Sequence, residues 1–359
     1  MGIVMILGIA GIIGGIAYVS YFCMRFIKLF TKIELTTSKK TLIVILIIFL
    51  SSLAVNMFTL YAVVYFHLLI ISFLLEILYY FLKKYKYIKY MIPTGLAAII
   101  ITGGFFAYGH YNINHLVKTS YSYESDKIDS LRILQITDLH MSRSVSVERL
   151  EEYVERMSAE KPDIVFLTGD LFEELTTLED MEAASKLLGS IDNELGIYFV
   201  FGNHDPQPYT DSPVFTSDDI RRNLTDNGII VLEDEVTTVD NLTIVGRIDG
   251  GFSNARIPRI SSEELLKDVD QDSYIIVLDH RPLDLEENAS LGVDLQLSGH
   301  THGGQLFPMR IVQNIFSDEL VYGERAIDDF HAITSSGISG VGYPIKTGAP
   351  SEYVIVDIK

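Results

Sequence analysis

The sequence predicts an α/β domain carried behind an all-α membrane region. Three observations predict it. The first 109 of the 359 residues are apolar and basic, the remainder alternates short apolar runs with segments of helical period, and polar motifs stand at the ends of those runs. Beyond residue 109 about 250 residues remain, enough for one large domain with its own core.

In chain order, residues 1–24 are apolar and uncharged. Residues 41–82 form a nearly unbroken apolar run of 42 residues. As one helix that run would measure ~63 Å at ~1.5 Å per residue, against a ~30 Å hydrocarbon core, so it predicts two spans with a turn near residues 51–56. Residues 91–108 supply a further span, giving a four-span transmembrane region over 1–109 with helices at about 2–24, 41–58, 61–82 and 91–108. Arg25, Lys28, Lys32, Lys39 and Lys40 lie between the first and second spans, and Lys83, Lys84, Lys86 and Lys89 between the third and fourth. Basic loops face the cytoplasm, so the domain that follows is expected outside it. A cleaved signal peptide fits the first segment less well, because the positive charge comes after the segment. Glu76, the one acid within the spans, is close enough to Lys83 for an ion pair at the interface. Gly11 and Gly15 have the spacing of a close helix contact.

Residues 110–130 are polar and rich in Ser and Tyr, and read as a connector to a domain over 131–359. Runs at 131–137, 163–168 and 197–201 have strand length. Between them, Ser146 is a predicted N-cap for Val147, Leu150, Tyr153, Val154 and Met157, and Leu178, Met181, Ala184 and Leu188 repeat the helical spacing. A β-α-β-α-β order with right-handed crossovers follows. Runs at 242–245, 274–278, 293–297, 331–334 and 353–358 read as further strands, enough sheet for two layers, and 261–269 reads as a short helix.

The first three strands each deliver a polar motif at the carboxyl end, where open α/β sheets gather their sites. The motifs are Asp138-Leu139-His140, Gly169-Asp170 and Gly202-Asn203-His204-Asp205, followed later by His280 and by Gly299-His300-Thr301-His302. Carboxylate oxygen, amide oxygen and imidazole nitrogen suit Zn, Mn or Fe, whereas the single cysteine, Cys23, sits in a distant apolar stretch and excludes a thiolate site. Taken singly, Gly-Asp or Asp-x-His is an ordinary turn. Together these motifs hold five of the nine histidines; His67, His110, His115 and His331 carry no assigned chemistry.

The motif order resembles the calcineurin-like metallophosphoesterase superfamily, and the Gly299-His300-Thr301-His302-Gly303-Gly304-Gln305 ending resembles its membrane-anchored bacterial phosphodiesterase branch. The resemblance covers 131–359 and implies an αββα sandwich, two sheets flanked by helices, with two divalent metal ions at one edge. Carried over by position, it puts Asp138, His140 and His302 on one metal, Asn203, His280 and His300 on the other, and Asp170 as the bridge. It places His204 off the metals and beside the scissile phosphate, where an imidazole stabilises charge or protonates the leaving oxygen. Asp205 is expected to fix the turn or orient a ligand. Two dications, two aspartates and a hydroxide leave a charge of about +1, suited to an anionic phosphate, and a metal pair activates hydroxide while clamping attacking and leaving oxygens. Two departures stand out: Glu173-Glu174 where relatives carry an aspartate, and Ser335-Ser336-Gly337 where they carry Ser-Arg-Gly.

Charge divides the chain. Residues 1–109 hold nine basic against two acidic side chains, net +7, and residues 110–359 hold nineteen against forty-five, net −26. So acidic a domain is a poor partner for nucleic acid, and a small or lipid-linked phosphate ester near the lipid bilayer is the expected substrate. With no cysteine the domain draws its stability from core burial and metal binding. Selectivity is expected in the least regular stretches, 206–213, 250–258 and 307–318, with Arg247, Arg256, Arg281 and Arg310 available to an anion. The expected function is a membrane-anchored metal-dependent phosphoesterase, a phosphodiesterase, with the catalytic domain extracytoplasmic. A phosphomonoesterase or pyrophosphatase on lipid-linked or cell-wall intermediates is the alternative within enzymes. A non-catalytic metal-binding sensor or scaffold is the alternative of another class, against which the intact His204 and full ligand set argue.

Overall fold

A computed structural model describes residues 2–30, 34–54, 59–85, 95–249 and 259–359, which divide into two units, Met1–Tyr108 and Gly109–Lys359. The first unit is helical: α1 (Gly2–Phe30), α2 (Thr37–Ser52), α3 (Leu60–Leu82) and most of α4 (Leu96–Ile113). Leu42, Ile45, Phe49, Phe73, Leu74, Ile99 and Ile100 stand exposed, as on helices whose solvent is lipid. Where the sequence predicts four spans, two described helices, α3 and α4, are long and apolar enough to cross a membrane. The second predicted span, 41–58, falls on α2, a helix of 16 residues, short of the ~20 a bilayer core needs, and its last four residues, 55–58, lie outside the described residues. The start of the fourth predicted span, 91–94, lies outside the described residues, and α4 runs five residues past its predicted end. Glu76 pairs with Arg25 of α1, not with Lys83.

The stretch read as a connector is instead the end of α4 and a strand, β1 (Leu116–Tyr123). Its residues alternate half-buried and exposed, an edge-strand pattern that its polar composition hid. β1 lies parallel to the C-terminal strand β12 (Ser351–Ile358), with Leu116 opposite Ser351 and Tyr123 opposite Ile358. β12 runs antiparallel to β2 (Leu131–Ile136), and β3 (Ile164–Leu167), β4 (Ile197–Phe199) and β5 (Ile229–Val231) continue the sheet in parallel. The second sheet has the order β10 (Gly323–Ile327), β11 (Phe330–Thr334), β9 (Leu295–Ser298), β8 (Tyr274–Leu278), β7 (Leu242–Gly246), β6 (Glu235–Val239). Its two edge pairs are antiparallel and its centre is parallel.

Burial on both faces of the central strands explains the continuous apolar runs. Ile133, Ile164, Phe166, Ile276, Leu278 and Leu297 turn to the core between the sheets, while their neighbours Leu134, Val165 and Leu167 turn outward. The outward set of the first sheet is covered by α5 (Val147–Ser158), α6 (Leu178–Gly189) and α7 (Ser217–Asp226). The outward residues of the second, Val245, Ile275 and Val277, pack with Leu266 of α8 (Ser262–Leu266) and Leu285 of α9 (Leu285–Ser290). The result is the two-sheet sandwich flanked by helices. The Oγ of Ser146 accepts from Arg149 N and caps α5. Residues 307–318, expected to be irregular, contain a final helix, α10 (Met309–Phe316), while residues 250–258, with Arg256, lie outside the described residues.

Candidate metal centre

The loops after β2, β3, β4, β8 and β9 converge at one end of the paired sheets and carry all seven expected ligands. Five of the seven, Asp138, His140, Asp170, His300 and His302, have positive φ, between 42° and 70°. Left-handed backbone at non-glycine residues is strained and persists where the surroundings over-determine it, commonly at functional sites. The glycines of the motifs have a separate task. A Cβ on Gly202 would lie 2.2 Å from Asp170 Oδ1, and one on Gly299 would lie 2.1 Å from Thr137 Oγ1, so only glycine lets these turns close on the carboxylates.

Six of the expected ligands form two candidate clusters, Asp138 with His140 and His302, and Asp170 with His280 and His300, each with its donor atoms within 4.8 Å of one another. In the first, His140 Nε2 and His302 Nε2 are 3.2 Å apart, and Asp138 Oδ1 lies 3.4 Å from the latter. In the second, His280 Nε2 is 3.1 Å from Asp170 Oδ2 but not aligned for a hydrogen bond. The same Oδ2 is 3.7 Å from His140 Nε2, so the Asp170 carboxylate stands between the clusters. Asn203 belongs to the same end of the sheets; its amide Oδ1 is buried without a partner while Nδ2 donates to Tyr209 Oη at 3.3 Å.

Three of the histidines and the Asp170 turn are aimed by further contacts. His280 Nδ1 is 2.8 Å from Thr168 O and His302 Nδ1 3.4 Å from Ser339 O, which leaves Nε2 of each ring facing the cluster. His140 Nδ1 faces the buried Glu173 carboxylate at 3.8 Å, and Arg143 Nε meets that carboxylate at 3.0 Å. Asp205 is buried and accepts from the N–H groups of Asp170, Gly202 and Phe172 at 2.9, 2.6 and 3.0 Å, bracing two ligand turns at once. The His204 ring meets that of His140 edge to face with centroids 5.1 Å apart; its backbone N–H donates to Asp170 Oδ1 at 2.8 Å and its Nδ1 lies 3.0 Å from Glu174 Oε2.

Electrostatics follow from burial. Burial holds His140 and His302 below the ordinary imidazole pKa and His300 down at about 2, so these rings present lone pairs. Burial acts the same way on His280, but the Asp170 carboxylate outweighs it and raises that ring to about 10. For Asp205, burial and the neighbouring Asp170 charge push the carboxyl up to about 7 against the pull of three backbone donors. His204 is raised despite partial burial, because Glu174 and Asp170 favour its charged form. Converging lone pairs, an orphaned amide oxygen and a carboxylate drawing positive charge to itself make two candidate sites for divalent cations, and oxygen with nitrogen suits Mn, Zn or Fe.

Of two further participants, Glu174 stood in the sequence only as part of a departure from the family pattern, and Lys346 had no signal there. Glu174 reaches His204 only through the fold, across thirty positions. Lys346 is fully buried, and its Nζ donates to the carbonyls of Ser336, Gly337 and Ser339, the last being the oxygen that faces His302. The arginines expected to be available are engaged: Arg247 with Asp234 at 3.2 Å, Arg281 with Asp249 at 3.0 Å, and Arg310 over the Tyr322 ring at 4.7 Å.

Residues 131–304 match the family model described as calcineurin-like phosphoesterase. An uncharacterized metallophosphoesterase of Aquifex aeolicus is 30% identical over 260 residues, which cover 70% of this chain and 95% of that protein. A zebrafish (Danio rerio) transmembrane protein with metallophosphoesterase domain is 25% identical, with 65% of this chain and 54% of that protein covered. Among solved structures, TT1561 of Thermus thermophilus matches at 13% identity and a TM-score of 0.40, covering 58% of this chain and 92% of that one.

Proposed function

From the premise that the chain belongs to the calcineurin-like phosphoesterases, hydrolases of phosphate esters, we propose a membrane-anchored phosphodiesterase that works with two divalent ions. Asp138, His140 and His302 would hold one ion, Asn203, His280 and His300 the other, with Asp170 shared. When bound, such a pair supplies Lewis acidity and a water acidic enough to ionise near neutral pH. The observation that carries the reading is the single buried Asp170 carboxylate, one oxygen facing both histidine clusters and the other holding the His204 backbone.

His204 then acts as the acid. Glu174 occupies Nδ1 and favours the protonated ring, so Nε2 is the nitrogen from which a proton passes to the leaving oxygen. The oxygen of water joins phosphorus, the bond to the alcohol breaks, and a monoester and an alcohol result. Diester preference is supported by charge. Arg143, Arg259, Arg247 and Arg281 each already face a carboxylate, and Lys346 is buried against carbonyls, so the described cations are committed elsewhere and a singly charged diester suits the site better than a dianion.

Membrane association is supported by two helices of sufficient length and by the likeness to a transmembrane relative. The placement of the second unit outside the cytoplasm rests on the lysines between α3 and α4, and the small or lipid-linked substrate on the −26 charge of residues 110–359. Hydrolysis of bis-p-nitrophenyl phosphate with Mn, lost in His204→Ala and Asp170→Ala, is the expected result. Faster turnover of the mono-p-nitrophenyl ester at matched metal would make it a monoesterase, and no turnover of either would favour a metal-binding scaffold. For topology, Glu151→Cys in a Cys23→Ser chain is expected to react with an impermeant thiol reagent in intact cells; protection until lysis would reverse the orientation.

A further inference from the structure

Helix α10 is inside out. At helical spacing Met309, Ile311, Val312, Ile315 and Phe316 share one face, and all five are exposed, Ile315 at 67% and Phe316 at 82%. The polar face turns inward, with Arg310 stacked on Tyr322 and Gln313 half-buried, and no residue of the helix is buried. A soluble protein would place these faces the other way round, because exposed clusters of large apolar side chains mark surfaces that are covered in use.

The position of α10 says what covers it. The loop that carries His300 and His302 runs on through Gln305 into the helix. A strap over residues 341–349 ties that entrance down: Gln305 O accepts from Thr347 N and Gly348 N, Gln305 Nε2 donates to Val341 O, and Phe307 N donates to Thr347 Oγ1. On its other side the strap holds the last turn of α4, through Lys346 N to Gly109 O at 3.1 Å and Asn112 Nδ2 to Lys346 O at 2.8 Å. α4 is one of the two helices able to cross a bilayer, so its last turn marks where the chain leaves the hydrocarbon. One strap therefore connects a metal-ligand loop, an outward apolar helix and the exit point of a membrane helix.

We propose that α10 lies in the bilayer interface, its Ile311, Val312, Ile315 and Phe316 side chains among the acyl chains. It seats the metal centre against the headgroups, so that the ester hydrolysed is one carried by a lipid; this last clause rests on the phosphoesterase reading above. The attachment is apolar rather than electrostatic: the helix carries one cation, Arg310, and Asp318 and Glu319 follow it. Anionic lipid is not needed, and salt does not release the helix.

The test uses the full chain with Cys23→Ser in phosphatidylcholine nanodiscs, with spin labels at Ile315→Cys or Phe316→Cys and, as the aqueous control, at Glu151→Cys. Labels at 315 and 316 are expected to collide with oxygen and be shielded from a water-soluble nickel chelate, and the label at 151 to do the reverse. Water-like values at all three overturn the proposal, as does shielding that persists in detergent with disulfide cross-linking at 316, which would place a second copy of the chain on this face. In the cysteine-free chain, Phe316→Asp is expected to slow hydrolysis of a diacyl-lipid phosphodiester in the discs by roughly tenfold, the order set by one large apolar side chain, and to leave bis-p-nitrophenyl phosphate turnover unchanged. Equal loss on both esters, or on neither, overturns the lipid-substrate clause. Shielded labels with no hydrolysis of either ester by the unsubstituted chain would strike the phosphoesterase reading, and that clause with it, while leaving the interfacial helix standing.

Discussion

The two ligand clusters use the same chemistry on different supports. The Asp170, His280 and His300 cluster is held from within the strand-end loops, by Thr168 O behind His280 and by Asp205 beneath the Asp170 turn. The Asp138, His140 and His302 cluster leans on the far end of the chain. Ser339 O faces His302, the N–H groups of Ile338 and Ser339 donate to Thr137 O and Asp138 O, and buried Lys346 gathers the carbonyls of that segment. One cluster is therefore set by contacts among the ligand loops themselves, and the other by a segment whose position depends on a single buried lysine in a dry environment. The difference teaches that equal ligand sets need not be equally robust.

Substitutions can break or sharpen that contrast. Asp170→Ala, which touches both clusters, is expected to abolish turnover and to lower bound metal to one ion or none per chain by elemental analysis. His204→Ala should cost ~10²–10⁴-fold in kcat with metal content unchanged, since it removes the proton donor and no ligand. Lys346→Met should weaken one metal site by roughly 10–100-fold and leave the other intact, the range seen when a contact behind a ligand is lost. Two-phase metal titration by calorimetry reads this directly, and uniform weakening of both phases would erase the distinction between the clusters. Glu174→Gln should lower kcat less than His204→Ala does, without altering either metal phase.

The smallest effect is on pH. Burial pushes the Lys346 ammonium down from its ordinary 10.5 to about 7, against the pull of the Glu352 and Asp138 carboxylates. Between about pH 7 and 10.5 the unfolded chain holds a proton at this position that the folded chain has released. Unfolding free energy gained through this group thus rises with pH across that window and is flat below it. In chelator-treated protein the thermal midpoint of the unsubstituted chain should rise, relative to Lys346→Met, as pH goes from 7 to 10. A difference that stays flat instead would mean that the buried amine keeps its proton.

Much of this molecule is legible from its residues. Doubly buried strands announce themselves as apolar runs, as at Leu131–Ile136 and Tyr274–Leu278. Ser146 and Ser261 cap the helices that follow them, because a hydroxyl ahead of a helical period is a local signal. β1 escaped since a half-buried edge strand tolerates Lys118, Ser120 and Ser122 on its open side. α10 reads as an irregular stretch although its apolar positions repeat at helical spacing, because eight residues are a short window for that period. The second predicted span runs past the end of its helix at Ser52, because hydropathy does not report where a helix stops.

The sequence alone determined the ligand types, their order and their delivery at strand ends, because motif and strand are neighbours along the chain. Only the tertiary structure decided that Glu174 orients His204, that Lys346 stands behind His302, and that the apolar side of α10 faces away from the core. Those relations join residues tens or hundreds of positions apart, and distance in space is set by the packing of two sheets, not by any spacing along the chain.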